Sequence, residues 1–386
     1  MSYQSNVLSQ VIQQISKLEF QSIVNRYQGD HRIRKLDCWT WFGSLIFGQL
    51  TGRNSVRSIS KSFQPTRKGL KSLGFANVCK STLADANEKR PVQILEDVSQ
   101  LILKKAQTFS PKSRFRFNGK VIAVDSSLIP LCLSLCPWAA HRSKSGGVKL
   151  HSGLDLAGGL PLFSIITTGK INDAHAIKGM KFESGSTFVL DRGYFDFSLL
   201  KEIDSRDAYF VTRLKSNCKY KVKKCRKTNR KTGVMCDQTV ELTGFAGYAK
   251  YGDDLRKISY KDPETGKRYV YLTNRFDLAP KTIAQIYKRR WDIELFFKNL
   301  KGNLKIKKFL GTTENSVRAQ IFAAIITHML ISIIKWKAKL NWSIPQLMAT
   351  IGAMIFVRLN IYDVLEGPPP KSKDVSASLQ LPLFVF

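Results

Sequence analysis

The stretch Lys120-Val-Ile-Ala-Val-Asp125 is a short apolar run that ends in an acid, and Thr187-Phe-Val-Leu-Asp191 repeats the pattern. Such runs, closed by turn residues, predict strands buried on both faces, as in a parallel sheet. Between them, Lys149 to Leu156 and Leu162 to Thr168, separated by Gly158-Gly159, predict a hairpin. Asp173 to Met180 and Phe197 to Ile203 read as helices, and Tyr209 to Arg213 as a further strand. Strands, hairpin and crossover helix together predict an α/β domain around a mixed sheet. Ligands gather at the carboxyl ends of strands in such sheets, so Asp125 and Asp191 are a candidate pair. Either acid alone is an ordinary turn opener.

Outward from this centre the pattern changes on both sides. Residues 1–115 read as a helical N-terminal domain. Apolar residues recur at helical spacing through Val7, Val11, Ile15 and Leu18, then through Trp39, Phe42, Leu45 and Ile46, a helix expected to stop at Gly52. The basic stretch that follows, with Ser81 as a candidate cap and Pro91 as a break, suits a helix-turn-helix-like DNA reader or a plain packing domain. The first part of the α/β core is read as 116–213 and a β-rich insertion as 214–279. Ten basic residues between Arg213 and Lys231 give that insertion a positive edge. A closing helix spans 280–312, and further apolar helices with a tail occupy 313–386, interrupted by Gly367-Pro-Pro-Pro370.

Charge narrows the partner. The 386 residues carry 62 Lys and Arg against 29 Asp and Glu, a formal charge of +33. A chain this basic wants a polyanion, and basic residues spread along its whole length favour nucleic acid over a membrane surface. Hydrophobic residues at 43% supply a real core. The seven cysteines form no CxxC pair and read as reduced thiols of a cytoplasmic protein. The N-terminus has no signal-peptide core. The run Ile321 to Ile334 is shorter than the roughly 18 residues of a membrane span and reads as a buried helix.

The stretch from Ala279, APKTIAQIYKRRWDIELFFKNLKGN, binds these readings together. As one helix it places Tyr287, Arg290, Glu294 and Lys301 in one arc, beside an apolar arc of Ile286, Ile293, Phe297 and Leu300. Its charges therefore lie at the edge of a core instead of opposite it. A carboxylate there, facing two strand-end aspartates, is strongly repelled unless a cation stands between them. Three carboxylates suit Mg²⁺ or Mn²⁺, and two such ions about 4 Å apart can drive in-line phosphoryl displacement. Arg290, Lys298 and Lys301 can hold phosphates, with Tyr287 bonding one or stacking on a base. Arg192, Lys144 and Lys149 are further candidate DNA contacts. His151 reads as structural, and Trp291 as core packing.

Here the chain resembles a known family. Tyr287, two residues, Arg290, three residues, Glu294, six residues, Lys301 is similar to the Y-(2)-R-(3)-E-(6)-K signature of insertion-sequence-four type DDE transposases, with no position departing. VDSSLI at Asp125, KLHSGLDL after it and LDRGYFD at Asp191 resemble that family's blocks around its first two aspartates. FGQLTGR and STLADANEKR resemble a helical domain found in one subgroup. The resemblance implies a ribonuclease-H-like core with a β-rich insertion. It implies cut-and-paste movement of an element with inverted terminal repeats, on double-stranded DNA, by a homodimer or larger assembly. Asp125, Asp191 and Glu294 would then be the catalytic metal ligands, in the bacterial cytoplasm and at the nucleoid when bound to DNA. Two other readings use the same residues: a metal-dependent nuclease of the same fold, and a non-catalytic DNA-binding descendant.

Overall fold

The computed structural model describes residues 5–63, 74–112, 115, 117, 119–142, 145–243, 251–302 and 309–365. Lys144, part of the basic stretch before residue 74, and the Gly367–Pro370 stop lie outside them. The chain divides into two compact units.

One unit, residues 111–128 and 140–297, is a mixed sheet with helices. At its centre β1 (Val121–Leu131) pairs parallel with β5 (Thr187–Leu190), and β5 pairs parallel with β6 (Tyr209–Arg213). Val121 to Val124 and Thr187 to Leu190 are buried without exception, as runs covered on both faces must be. The crossover helix α8 (Phe197–Asp204) lays Leu199, Leu200 and Ile203 on Ile122, Phe188, Leu190 and Phe210. Beyond β1 lies the expected hairpin, β3 (Ser145–Asp155) with β4 (Leu160–Thr168), and the short β2 (Ala140–Arg142) on its other side. Gly153 faces Phe163 there so closely that a Cβ would stand 2.1 Å from the ring, which is why the position has no side chain.

Two expectations change. β1 does not stop at Asp125 but continues to Leu131; what ends at Val124 is its register with β5. The strands of the β-rich stretch join the same sheet. Strands β10 (Arg268–Thr273), β9 (Leu255–Lys261), β8 (Val234–Leu242) and β7 (Tyr220–Arg226) add in that order, all antiparallel, to β6. One ten-stranded sheet results, in the order β2-β3-β1-β5-β6-β10-β9-β8-β7 with β4 on β3. Ser81 caps nothing either; its helix, α5 (Lys80–Lys89), starts after Cys79.

The other unit gathers residues 1–110, 129–139 and 298–386. The N-terminal and C-terminal stretches, separate readings in the sequence, thus pack as one body. Helices α1 (Val7–Ile12), α2 (Lys17–Arg26), α3 (Cys38–Leu50), α4 (Val56–Phe63) and α6 (Gln93–Phe109) join α5 in its first part. α11 (Glu314–Lys337), α12 (Ile344–Ala353) and α13 (Ile361–Val364) form the last. α3 is buried on every side and stops where Gly52 takes a left-handed φ of 63°. α11 is long and apolar enough to cross a membrane, yet 94% of its apolar window is buried among α3, α6 and their neighbours. It is a core helix, longer than the expected Ile321–Ile334 run.

The approach to the closing helix is anchored by a buried ion pair. Arg256 on β9 donates to Asp237 on β8 from Nε (2.9 Å) and Nη2 (2.8 Å), and from Nη1 to the carbonyls of Arg275 and Leu278. Those carbonyls lie just before α9 (Pro280–Lys288). Removing one member of such a pair strands a buried charge. Asp237→Ala should therefore cost about 3–5 kcal/mol in urea unfolding; a loss below about 1 kcal/mol would show that the pair holds nothing.

Candidate active site

Register positions the first two acids. Val124 pairs with Leu190, and Leu190 with Thr212. The next residues on three adjacent parallel strands are therefore Asp125, Asp191 and Arg213. Asp191 opens the 3-10 turn Arg192–Tyr194, whose buried Tyr194 pins it down.

The third acid arrives on a helix that is broken. The expected single helix is two: α9 ends at Lys288 and α10 runs Trp291–Gly302. Between them Arg290, Asp292 and Ile293 donate to carbonyls three residues back, the tight pattern of a 3-10 turn. Arg289 steadies the joint by donating to Asp292 (2.7 Å) and to the Leu156 carbonyl (2.9 Å). The apolar arc holds across the break, with Ile286, Ile293, Phe297 and Leu300 all buried.

Arg290, in the joint, ties the site together. Its Nη1 donates to Asp125 Oδ2 (3.2 Å) and its Nη2 to Glu294 Oε1 (2.5 Å). The Asp125 side chain is 19% exposed and that of Arg290 14%, so this contact is shielded. Burial pushes the Asp125 carboxyl up to about 6, against the pull of the Ser126 N–H and Arg290 and with the push of Asp191 and Glu294. Asp125 therefore feels both of the other acids. Among the described residues no three acid, imidazole or thiol groups converge closely enough for one ion. Two of the acids, Asp125 and Glu294, share one guanidinium.

The Tyr287 hydroxyl is buried and makes no hydrogen bond, and neither does the buried Arg290 Nε. Burial raises the Tyr287 phenol to about 12, so it stays protonated and able to donate. Its ring meets Tyr271 at 4.9 Å, and Tyr271 stacks on Tyr269, over which Arg213 lies at 5.2 Å. Buried polar atoms left unbonded beside Asp125 and Glu294 are donors still to be satisfied.

The remaining candidates separate. Arg192 and Lys298 are exposed and Lys301 is half-buried on the last turns of α10. Lys144 lies outside the described residues. Lys149 is half-buried and donates to Asp173 Oδ1 (3.1 Å) and to the Ile171 carbonyl (2.9 Å). Trp291, expected in the core, is 57% exposed beside Arg290, with Leu295 exposed one turn on. Its place on the helix lies beyond the Arg290–Glu294 row, away from the apolar arc, so exposure follows the helical spacing and only the expectation of core packing fails. Sequence reasoning misses two residues. Arg213 reads only as a strand end, although setting the three strand ends side by side would reveal it. Asp173 reads only as a helix start.

His151 is structural, as expected. It is fully buried, its Nδ1 3.1 Å from the Tyr194 hydroxyl and its Nε2 3.0 Å from Thr167 Oγ1. Burial lowers its pKa to about 4, with Lys149 adding to the fall and Asp173 opposing it. A folded pKa below the unfolded value means stability complete above about 6.5 and lost as pH drops toward 4. His151→Gln lacks that loss. Its stability deficit against the native chain should thus shrink by about 3 kcal/mol between pH 7 and pH 4 in urea titrations; a constant deficit would refute the buried neutral imidazole.

Comparison with known proteins finds relatives named as transposases. A model of the transposase DDE domain matches residues 116–330, and one of a domain of unknown function, DUF4372, matches residues 3–76. The chain is 34% identical over 292 residues to a transposase-named protein of Sinorhizobium fredii, y4zB, covering 75% of this chain and 80% of that one. It is 29% identical over 253 residues to a Geobacillus stearothermophilus protein named as transposase for insertion sequence element IS5377, covering 65% and 66%. A Synechocystis protein named for element IS4SA is 24% identical over 297 residues, covering 76% and 80%.

Proposed function

The chain belongs to the transposase DDE-domain family, and on that premise we propose that it excises an insertion sequence by metal-dependent cleavage at both ends and joins those ends to target DNA. The observation that carries this reading is Arg290 bridging Asp125 and Glu294 while Asp191 stands beside Asp125 on the next strand. Acids remote in sequence share one place, and the tyrosine and arginine of the signature stand with them. The strand set β4-β3-β1-β5-β6, with α8 crossing between β5 and β6, serves as the ribonuclease-H-like core.

The donor set fits a hard divalent cation. It consists of carboxylate oxygens alone, and the burial and mutual repulsion that push Asp125 up mark a place where added positive charge is stabilising. Asp125, Asp191 and Glu294 would hold the ions, two Mg²⁺ or Mn²⁺ in their place. When bound, such ions activate a water or a 3′-hydroxyl and stabilise the leaving oxygen of the displacement. Arg290 neutralises two of the acids in the protein alone, and exchanges them for a DNA phosphate when cation and substrate are both present. Tyr287 donates its unused hydroxyl to the same strand, and Arg213 adds a second guanidinium at the strand ends. Arg192, Lys298 and Lys301 hold flanking phosphates, and Lys144 with them. Trp291 and Leu295 present an apolar surface to the bases. The substrate is the duplex of the terminal inverted repeats and then target DNA, handled by a homodimer in the bacterial cytoplasm.

The test is cleavage and joining of a duplex carrying the inverted repeats that flank the reading frame. Asp125→Asn and Glu294→Gln should each slow cleavage about a thousandfold, roughly 4 kcal/mol of barrier. Arg290→Ala should weaken substrate handling roughly tenfold to a hundredfold, the worth of one charge-assisted contact. Chelation should abolish cutting, and Mg²⁺ or Mn²⁺ should restore it. Wild-type rates in either acid variant would sink the assignment; cutting without joining would indicate a nuclease, and binding without cutting a non-catalytic descendant.

A further inference from the structure

Asp173, outside the three acids, touches the chain immediately beyond both catalytic aspartates. It opens α7 (Asp173–Ile177), directly after Asn172, whose side chain caps that helix by accepting from the Ala174 N–H. Its Oδ1 accepts from Ser126 Oγ at 3.1 Å and from Lys149 Nζ at 3.1 Å. Ser126 follows Asp125, and its backbone N–H donates to Asp125 Oδ1 at 2.8 Å. That bond occupies one oxygen of Asp125 and leaves Oδ2 to face Arg290. On the other side, Asp173 Oδ2 lies against Gly193, two residues after Asp191, so closely that a Cβ would stand 2.9 Å from it. One carboxylate is therefore wedged between the strand that carries Asp125 and the turn that carries Asp191.

Lys149 decides what this carboxylate does. An uncompensated acid here would add a fourth negative charge to the cluster. Lys149 neutralises Asp173 directly and is itself fixed by the Ile171 carbonyl. With its Oδ1 already engaged twice, Asp173 is built to hold neighbours in place, not to take a cation.

We propose that Asp173 is a positioning residue of the active site, which through Ser126 turns one oxygen of Asp125 toward the reaction and through Gly193 sets the spacing of Asp125 and Asp191. Lys149 is its charge partner in this role rather than a DNA contact. The inference rests on the reading that Asp125 and Asp191 bind the catalytic ions. Supports of this kind are worth roughly 10–100-fold in metal affinity or activity.

The full-length protein tests it in four variants, Asp173→Ala, Asp173→Asn, Ser126→Ala and Gly193→Ala. The readouts are kcat and KM for terminal-repeat cleavage, Mn²⁺ binding by electron paramagnetic resonance, and Tm. Asp173→Ala should lower kcat and Mn²⁺ affinity about 10–100-fold, with KM for DNA nearly unchanged and Tm close to the native value. Asp173→Asn keeps an oxygen for Ser126 and should recover most of kcat. Ser126→Ala should add little once Asp173 is gone, because the two act in series. Gly193→Ala keeps every hydrogen-bonding group, displaces Asp173, and should lower kcat in the same direction. Native kcat and Mn²⁺ affinity in Asp173→Ala would overturn the proposal, as would a kcat loss that merely follows a fall in Tm. Mn²⁺ binding abolished by both Asp173→Ala and Asp173→Asn would overturn it differently, by making Asp173 a ligand. Undiminished cleavage by Asp125→Asn strikes the underlying assignment instead, and is separately visible.

Discussion

Val124 of β1 pairs with Leu190 of β5, and the site depends on that register. It puts Asp125 and Asp191 at one level of the sheet, with Arg213 at the same level on the next strand. A slip of one residue would turn the buried side chains of either strand to the opposite face. The buried runs before the acids prevent it, because Ile122, Val124, Phe188 and Leu190 are committed to one core with α8. The same apolar residues that make the strands make the spacing of the carboxylates.

Register concentrates negative charge, and the rest of the site answers it. Asp125 is buried and repelled by two acids. Arg290 offsets that repulsion from a joint between two helices, where the backbone tightens to present it. Lys149 does the same for Asp173 one layer away. In a chain of formal charge +33 these are few cations turned inward among many left for DNA. The division suits an enzyme whose substrate is a polyanion but whose centre must stay acidic.

Much of this is legible in the chain's local patterns. The apolar runs, the hairpin and the spacing from Tyr287 to Lys301 each follow from short-range periodicity, and the fold keeps each of them or nearly so. The departures have a common cause in contacts and breaks that periodicity does not carry. An acid after an apolar run resembles a strand end, although β1 runs on past Asp125. The partner of Lys149 is not visible locally because Asp173 lies 24 residues away.

By itself the sequence determined most element types, singled out the three acids and the row from Tyr287 to Lys301 as candidates, and set the basic character of the whole. These depend on residue type and short spacing, which the chain carries openly. Tertiary structure alone decided that the insertion strands extend one sheet and that the two ends of the chain share one helical body. It also decided that Arg290 faces both Asp125 and Glu294, and that Asp173 is wedged between the two aspartate-bearing segments. Those are meetings of segments far apart in sequence, and only packing and register set the distance between them.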